Sequence, residues 1–202
     1  MLGIRTARSY NEDEKSFIPG ALDYLSKSFA LCCDDVSSFV PSASIVNYYT
    51  IKSQMGGKSV LVQYMYKQAY KLIILIKGHR DDLELTFDKP VISISLGLPA
   101  IFLLGGKTKG DDVKAILVRS GDVMMLNGDT RLSFHGVAKV LNKINTPRSN
   151  KKNCVPTQFD NRNNLHHEID AIRTFLQQFR ININVRQVLP DGVTKIKCTS
   201  KT

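Results

Sequence analysis

The sequence contains no tryptophan and only four cysteines among its 202 residues. Cys32 and Cys33 are adjacent, whereas Cys154 and Cys198 each stand alone, so none of them has the C-x-x-C spacing of a structural zinc site. This distribution favours free thiols in a reducing compartment over a disulfide framework. A metal centre built on cysteine is therefore not expected.

Long hydrophobic runs are also lacking. Residues 1–8 contain no apolar stretch of the kind found in secretory signals, and no uncharged run is long enough to span a bilayer. We therefore expect an intracellular protein, nuclear or cytoplasmic, with an organelle left open and with no membrane partner.

Acidic residues are fewer than basic ones, 18 against 28, which gives a net charge of +10 and a pI near 9.5. An excess of positive charge favours acidic partners, and nucleic acid is the first of these. Many soluble proteins are equally basic, so the charge supports a nucleic-acid partner without establishing one.

A hydrophobic fraction of 43% is typical of a globular protein, and the length suits one domain. Short alternating or apolar runs, separated by turn residues, predict a mainly β protein with flanking helices, a sandwich or barrel of jelly-roll type. The predicted strands cover residues 43–50, 92–96, 100–104, 115–118, 122–126, 132–137 and 180–186, and the predicted helices cover 21–33 and 164–179. Ser120-Gly121-Asp122, between the fourth and fifth strands, is typical of a hairpin turn.

Two histidines and one aspartate form the pattern with the clearest chemistry. His79 and Asp81 are two residues apart, so both side chains would leave a strand on the same face, and His135 lies on a later predicted strand. Two imidazoles and a carboxylate can hold one face of an octahedral Fe(II) and leave the other face open for a co-substrate and O2. Either histidine alone is more often structural, so this interpretation requires the three side chains to meet.

The segment 180–186 alternates strictly between polar and apolar residues, which predicts a strand with two different faces. Arg180 and Arg186 share the polar face, and two guanidinium groups can grip the two carboxylates of a dicarboxylic acid. The alternative is an amphipathic strand whose polar face lies in solvent, as charged faces usually do.

Taken together, these motifs resemble the AlkB family of Fe(II)- and 2-oxoglutarate-dependent dioxygenases. The resemblance is carried by the order of His79, Asp81, His135, Arg180 and Arg186. Further matching stretches are Asn47-Tyr48-Tyr49, residues 89–97, residues 100–106, Ser120-Gly121-Asp122-Val123 and residues 131–136. Residues 185–189 and the long segment before them are similar to the AlkB-homologue-one branch.

The resemblance implies a double-stranded β-helix in which His79, Asp81 and His135 bind the iron. The residues it implies for the 2-oxoglutarate pocket are Asn47, Tyr49, Arg180, Asn182 and Arg186. The implied reaction consumes O2 and 2-oxoglutarate and removes the methyl group of an N-methylated adenine in DNA or RNA as formaldehyde. The base has to be flipped out of a duplex or presented in a single strand. Since the chain has no tryptophan, the residue that stacks on the base is not predicted.

Residues 58–78 depart from the family pattern, because they separate Asn47 from His79 by an acid-free stretch that is interpreted as an insertion. One hypothesis is a retained intron, since Gly57-Lys58-Ser59 can be encoded with a splice-donor-like GTAAGT; the other is a genuine additional element. The expected division is a lead-in and helix at 1–42, a dioxygenase domain at 43–189 that includes the insertion, and a polar tail at 190–202.

Two other functions stay open from the sequence. One is a catalytically impaired splice variant that retains a basic, nucleic-acid-binding fold. The other is an iron oxygenase that acts on a protein or a small molecule. An assay with a methyl-adenine oligonucleotide separates both from the first interpretation, which requires release of succinate from 2-oxoglutarate and of formaldehyde from the methyl group.

Overall fold

Two antiparallel β-sheets form the body of the protein. The structure, a computed structural model, describes residues 17–51, 78–82, 84–142 and 163–193. Its elements in chain order are α1 (Gly20–Ala30), β1 (Ala43–Thr50), β2 (Val91–Gly97), β3 (Ala100–Leu104), β4 (Lys114–Val118), β5 (Val123–Leu126), β6 (His135–Val140), α2 (Asn163–Gln178) and β7 (Phe179–Arg186). One sheet has the order β1-β7-β2-β5, and the other has the order β4-β3-β6.

The second sheet is extended beside β6 by the first histidine of the metal-type pattern. His79 forms an isolated antiparallel bridge with His135, with both backbone N–H groups donating across it at 3.0 Å. Two such sheets with a cavity between them form the jelly roll, and the predicted double-stranded β-helix is confirmed.

The alternation of side chains along each strand separates an inner face from an outer face. On β2, Ser93 lines the space between the sheets and Ser95 is buried, whereas Ile92 packs on the outer side. On β7, Asn182 points inward and Val185 packs outward. The small polar residues predicted for one face of these strands therefore lie on the inner face.

The outer face of the four-stranded sheet is covered by the segment that precedes it in the chain. Ala30, Val36 and Phe39 pack against Ile92 and Val185, and all five are buried. Residues before 43 thus share a hydrophobic core with the sheet, and their separation as a lead-in stays a prediction.

A second core fills one end of the space between the sheets. Its buried members are Leu98, Ala100, Phe102, Val118, Val137 and Val140, and Tyr49 and Met124 pack against it from the opposite sheet. Gly97 lies at this end with φ +80°, and a Cβ there would come within 2.1 Å of the Phe179 carbonyl oxygen. Only glycine fits this close approach between β2 and the start of β7.

Two local expectations are wrong. The strand that carries His135 begins at that residue and not at 132, because a 3-10 turn at Gly128–Thr130 and the loop after it occupy the preceding positions. The turn at Ser120-Gly121 does not join a hairpin, since β4 pairs with β3 in one sheet and β5 pairs with β2 in the other. Turn chemistry specifies a reversal of the chain but not the strand that becomes its neighbour.

Cys32 and Cys33 are free thiols. Residues 58–77 of the predicted insertion, the two remaining cysteines, and residues 1–16 and 194–202 of the lead-in and tail lie outside the described residues. No helix in the described part of the chain is both long enough and apolar enough to cross a bilayer.

Candidate metal and co-substrate site

The structure brings His79, Asp81 and His135 together at one end of the space between the sheets. One potential ligand atom from each residue lies within 4.8 Å of the other two. Asp81 Oδ2 is 3.5 Å from His135 Nε2, and Asp81 Oδ1 is 3.8 Å from His79 Nε2. This spacing is small enough for one ion to join the three groups after modest side-chain shifts.

The orientation of His135 is set by its neighbours. Nδ1 lies 2.9 Å from the Ser133 carbonyl oxygen, which can only accept, so Nδ1 carries the proton and donates. Nε2 is then the ring nitrogen that faces Asp81, and it is the atom available to bind a metal. The Phe102 ring stacks on the imidazole at a centroid distance of 5.8 Å and restricts its rotation.

Asp81 is buried and remains ionised. Burial raises the pKa of this carboxyl group, but the hydrogen bond with His135 and the charge of Arg186 outweigh the effect and hold the pKa well below its usual range. Arg186 Nη2 lies 2.9 Å from Asp81 Oδ1. A carboxylate kept charged beside two imidazoles suits a divalent cation.

These side chains line a cavity of about 480 Å³. Four of the five residues predicted for the 2-oxoglutarate pocket, Asn47, Tyr49, Asn182 and Arg186, form part of its wall. Within the part of the chain that is described, Arg180 does not belong to the cavity wall, although it is paired with Tyr49 across the sheet. The side chain of His79 is 41% exposed, so the metal-type cluster can be reached from solvent.

The polar face of β7 is buried, so the alternative of a solvent-exposed strand face is wrong. Arg180 is only 1% exposed. Its Nη2 donates to Ser95 Oγ at 2.9 Å, its Nη1 donates to the Leu98 carbonyl oxygen at 3.3 Å, and its Nε has no partner among the described residues. Burial lowers the pKa of Arg180 and raises the pKa of the neighbouring Tyr49.

The buried guanidinium of Arg180 has no carboxylate within ion-pair distance in the described part of the chain. A buried charge without a counter-charge is costly, which favours an anionic ligand at this position. A carboxylate of a dicarboxylic acid supplies both the missing charge and an acceptor for Nε. The donor set therefore fits 2-oxoglutarate as well as a divalent metal.

Two charged residues of the site were not predicted from the sequence. Glu84 lies five positions after His79, lines the cavity, and accepts a hydrogen bond from Arg186 Nη1. Arg131 lies four positions before His135 and is almost fully buried. Their proximity in sequence to the two ligand-type motifs was the only available signal, since a charged residue in a loop is usually solvated.

The sequence of the chain is similar to those of known oxygenases. Residues 3–186 match the 2OG-Fe(II) oxygenase superfamily. The DNA N(6)-methyladenine demethylase ALKBH1A of Arabidopsis thaliana is 35% identical over 173 residues, which are 85% of this chain and 41% of that protein. The nucleic acid dioxygenase ALKBH1 of Mus musculus is 30% identical over 198 residues, covering 92% of this chain and 44% of that protein.

The chain thus spans about two fifths of the length of the curated relatives it matches. The solved structure of OsALKBH1 aligns with 82% of this chain and 59% of its own, at 23% identity and a TM-score of 0.47. The superfamily match covers most of the sequence, and members of this superfamily use Fe(II), 2-oxoglutarate and O2. The chain belongs to the 2OG-Fe(II) oxygenase superfamily and, within it, to the ALKBH1 branch of the AlkB family.

Proposed function

We propose that this chain is an Fe(II)- and 2-oxoglutarate-dependent dioxygenase that removes the methyl group of N-methylated adenine in DNA or RNA. The observation that carries the proposal is the convergence of His79, Asp81 and His135 on one cavity. That cavity is bordered by β7, whose two buried arginines have the chemistry to hold a dicarboxylic acid.

In this proposal the iron ligands are His79, Asp81 and His135. His135 presents Nε2, because its Nδ1 donates to the Ser133 carbonyl oxygen. Asp81 presents a carboxylate that Arg186 orients through an ion pair. His79 is tied to His135 by their backbone bridge, which places the two residues side by side.

The proposed role of Arg180 is to pair the 2-oxoglutarate carboxylate that lies farther from the iron. Ser95 and Leu98 hold two of its nitrogens, and the unpartnered Nε is left to donate to the co-substrate. Asn47, Tyr49 and Asn182 belong to the wall of the cavity, and Tyr49 is the cross-strand neighbour of Arg180. Arg186 holds Asp81 and Glu84, and its buried Nε, which has no acceptor among the described residues, is available to the nearer carboxylate.

Bound Fe(II) would supply activation of O2 coupled to oxidative decarboxylation of 2-oxoglutarate. The protein's share is to keep the co-substrate in a fixed position between the sheets and to exclude bulk water from the cavity. Because the cluster lies in a cavity and not on an open surface, a base inside a duplex has to leave its stack to reach it.

Adenine methylated on nitrogen in DNA or RNA is the proposed substrate because of the relatives' activities and the charge of this chain. One relative is named for demethylation of N(6)-methyladenine in DNA, and the other is named as a nucleic acid dioxygenase. A net charge of +10 supports binding to a phosphate backbone. We further propose an intracellular location, which is the nucleus, the cytoplasm or an organelle, and a catalytic domain at 43–189 with 58–78 as its insertion.

The test is release of succinate and formaldehyde by the full chain, with Fe(II), 2-oxoglutarate and an oligonucleotide that carries N-methylated adenine. We expect the two products in equal amounts, with formaldehyde absent for the unmethylated oligonucleotide and for the His135→Ala variant. Parallel assays on DNA and RNA oligonucleotides of the same sequence decide between the two polymers.

A variant lacking residues 58–78 provides the matched comparison for the alternative function. If that variant releases formaldehyde and the full chain releases none, the full chain is the catalytically impaired form. If neither variant releases formaldehyde while both oxidise 2-oxoglutarate, the demethylase proposal is wrong and another substrate class has to be sought.

A further inference from the structure

Arg131 and Arg180 have the largest side chains among the fully buried residues of the described part of the chain, and Arg131 is 2% exposed. It follows the turn at Asn127-Gly128, where Gly128 adopts φ +50° and the side chains of Asn127 and Thr130 cap the 3-10 helix. The Arg131 N–H donates to the Gly128 carbonyl oxygen at 3.1 Å. This compact turn delivers a charged side chain into the interior four residues before His135.

The guanidinium of Arg131 ties the His135 loop to the segment that carries the other two ligand candidates. Nη1 donates to the Asp81 carbonyl oxygen at 2.8 Å, and Nε donates to the Lys89 carbonyl oxygen at 2.9 Å. Nη2 lies 3.4 Å from Glu84 Oε2, and the Glu84 side chain is 4% exposed. One side chain thus contacts the segment 78–89 at three separate points.

These contacts are important because that segment has little regular structure. In the described part of the chain, residues 78–90 include no strand and no helix. Their backbone hydrogen bonds to the rest of the fold, as far as the described residues show, are the His79 bridge to His135 and the bond from Leu85 N–H to the Val188 carbonyl oxygen. Asp81 itself therefore depends on side chains for its position.

A second connection runs through side chains alone. Arg131 and Arg186 lie on either side of Glu84, and Arg186 in turn contacts Asp81 Oδ1. Positive and negative side chains alternate in this series of ion pairs from Arg131 to Asp81. Removing the Arg131 guanidinium therefore leaves Glu84 free to move and to reposition Arg186. Both the backbone and the carboxylate of Asp81 are therefore held from Arg131.

We propose that Arg131 is a positioning residue for the metal site, which fixes Asp81 through its carbonyl group and, through Glu84 and Arg186, its carboxylate. The inference rests on the proposed function, because it assigns the metal to His79, Asp81 and His135. A residue of this kind acts on metal affinity without touching the metal. Lysine at this position keeps the charge but cannot reach three acceptors as the planar fork of arginine does.

The experiment is a titration of the full chain and of Arg131→Lys with Co(II), followed by its visible ligand-field spectrum, with circular dichroism to verify the fold. We expect Arg131→Lys to bind Co(II) about 10- to 100-fold more weakly than the natural sequence, with an altered spectrum. The matched control is Arg119→Lys, because Arg119 follows β4 at the end of the sheet opposite His135. That control is expected to titrate and absorb like the natural sequence.

A folded Arg131→Lys variant with unchanged Co(II) affinity and spectrum would overturn the inference while leaving the proposed function intact. If the natural sequence does not bind Co(II), or if His135→Ala binds Co(II) equally well, the proposed function fails and the inference fails with it. Should Arg131→Lys not fold, Glu84→Gln decides, since it removes the carboxylate between the two arginines and keeps Arg131 in place. Weaker Co(II) binding by Glu84→Gln supports the inference, and unchanged binding overturns it.

Discussion

The two ends of β7 carry the same residue in two different environments. Arg186 and Arg180 lie on the same strand face and are both buried, but Arg186 contacts the carboxylates of Asp81 and Glu84. Arg180 lies at the apolar end of the inter-sheet space, where Ser95 and the Leu98 carbonyl group are its neutral acceptors. The charge of Arg186 is balanced by carboxylates, whereas the guanidinium of Arg180 has no ion-pair partner among the described residues.

This difference indicates how a jelly roll can provide the proposed site for an iron and a dicarboxylic acid. Strand alternation turns a row of polar side chains toward the inside, and position along the strand then decides their partners. The end near His135 holds the two imidazoles and the carboxylate that suit a metal cation, and the end near Leu98 holds a guanidinium with no ion-pair partner in the part of the chain that is described. A ligand that spans both ends satisfies both.

The largest expected effect comes from removing the carboxylate at the charged end. Asp81→Ala is expected to lower the affinity for Co(II) by more than the roughly 100-fold that loss of an outer partner costs, because a ligand itself is lost. Equilibrium titration measures it. Asp82→Ala is the matched control, since Asp82 pairs with Arg80 and is not part of the metal-type cluster. Equal affinities for the two variants would show that the metal lies elsewhere.

The apolar end is tested by Leu98→Ala. Leu98 is 4% exposed, so its truncation should lower the free energy of unfolding by about 2–5 kcal/mol, since it leaves a cavity in the core. Denaturant unfolding measures this change, and Leu31→Ala, at an exposed position, should cost less than about 0.5 kcal/mol. Leu98→Ala is expected to retain one Co(II) per chain. Loss of Co(II) binding by a Leu98→Ala variant that is still folded would contradict the separation of the two ends.

Arg180 tests the unpaired charge directly. Arg180→Ala should weaken binding of 2-oxoglutarate by about 1.5–3 kcal/mol, the worth of a hydrogen bond to a charged group, or about 10- to 150-fold. Calorimetry on Mn(II)-loaded protein measures the change, and Arg180→Lys should recover part of it. Arg173→Ala removes an exposed arginine of α2 and should have no effect. If Arg180→Ala binds 2-oxoglutarate as tightly as the natural sequence, the buried Arg180 does not pair a carboxylate of the co-substrate.

The smallest effect is expected outside the inter-sheet space, at Asp191. Hydrogen bonds from Lys89 and Gln187 lower the pKa of this carboxyl group to about 2. A lowered pKa in the folded state means that the stabilisation is present above the unfolded pKa of about 3.9 and is lost as the pH falls through the folded value. The stability difference between the natural sequence and Asp191→Asn should therefore shrink between about pH 4 and pH 2. If the stability difference between the two proteins stays constant over this pH range, the hydrogen bonds from Lys89 and Gln187 do not stabilise the ionised form of Asp191.

Strand alternation made much of the fold predictable. β1 and β3 begin and end at the residues predicted, and β7 differs by one residue at its start. Alternation could not reveal which face of β7 is buried, because burial depends on the other sheet. It also could not show that the turn at Ser120-Gly121 passes between sheets, since pairing partners are set by contacts distant in sequence.

The candidate site was predictable to the extent that it follows motifs. His79, Asp81 and His135 were grouped by their spacing and by the family pattern, and they meet in the structure. Glu84 and Arg131 were not anticipated, because a charge that is buried by pairing looks the same in sequence as a charge in solvent. The start of β6 differs from the prediction for another reason, because the 3-10 turn at Gly128–Thr130 and the loop after it occupy the preceding positions.

The most direct test of the metal assignment is anomalous diffraction from crystals of the full chain grown with Mn(II), a divalent ion suited to carboxylate ligands. We predict one strong anomalous peak within bonding distance of His79 Nε2, His135 Nε2 and the Asp81 carboxylate. A peak held by other residues, or no peak between these three side chains, would contradict the assignment.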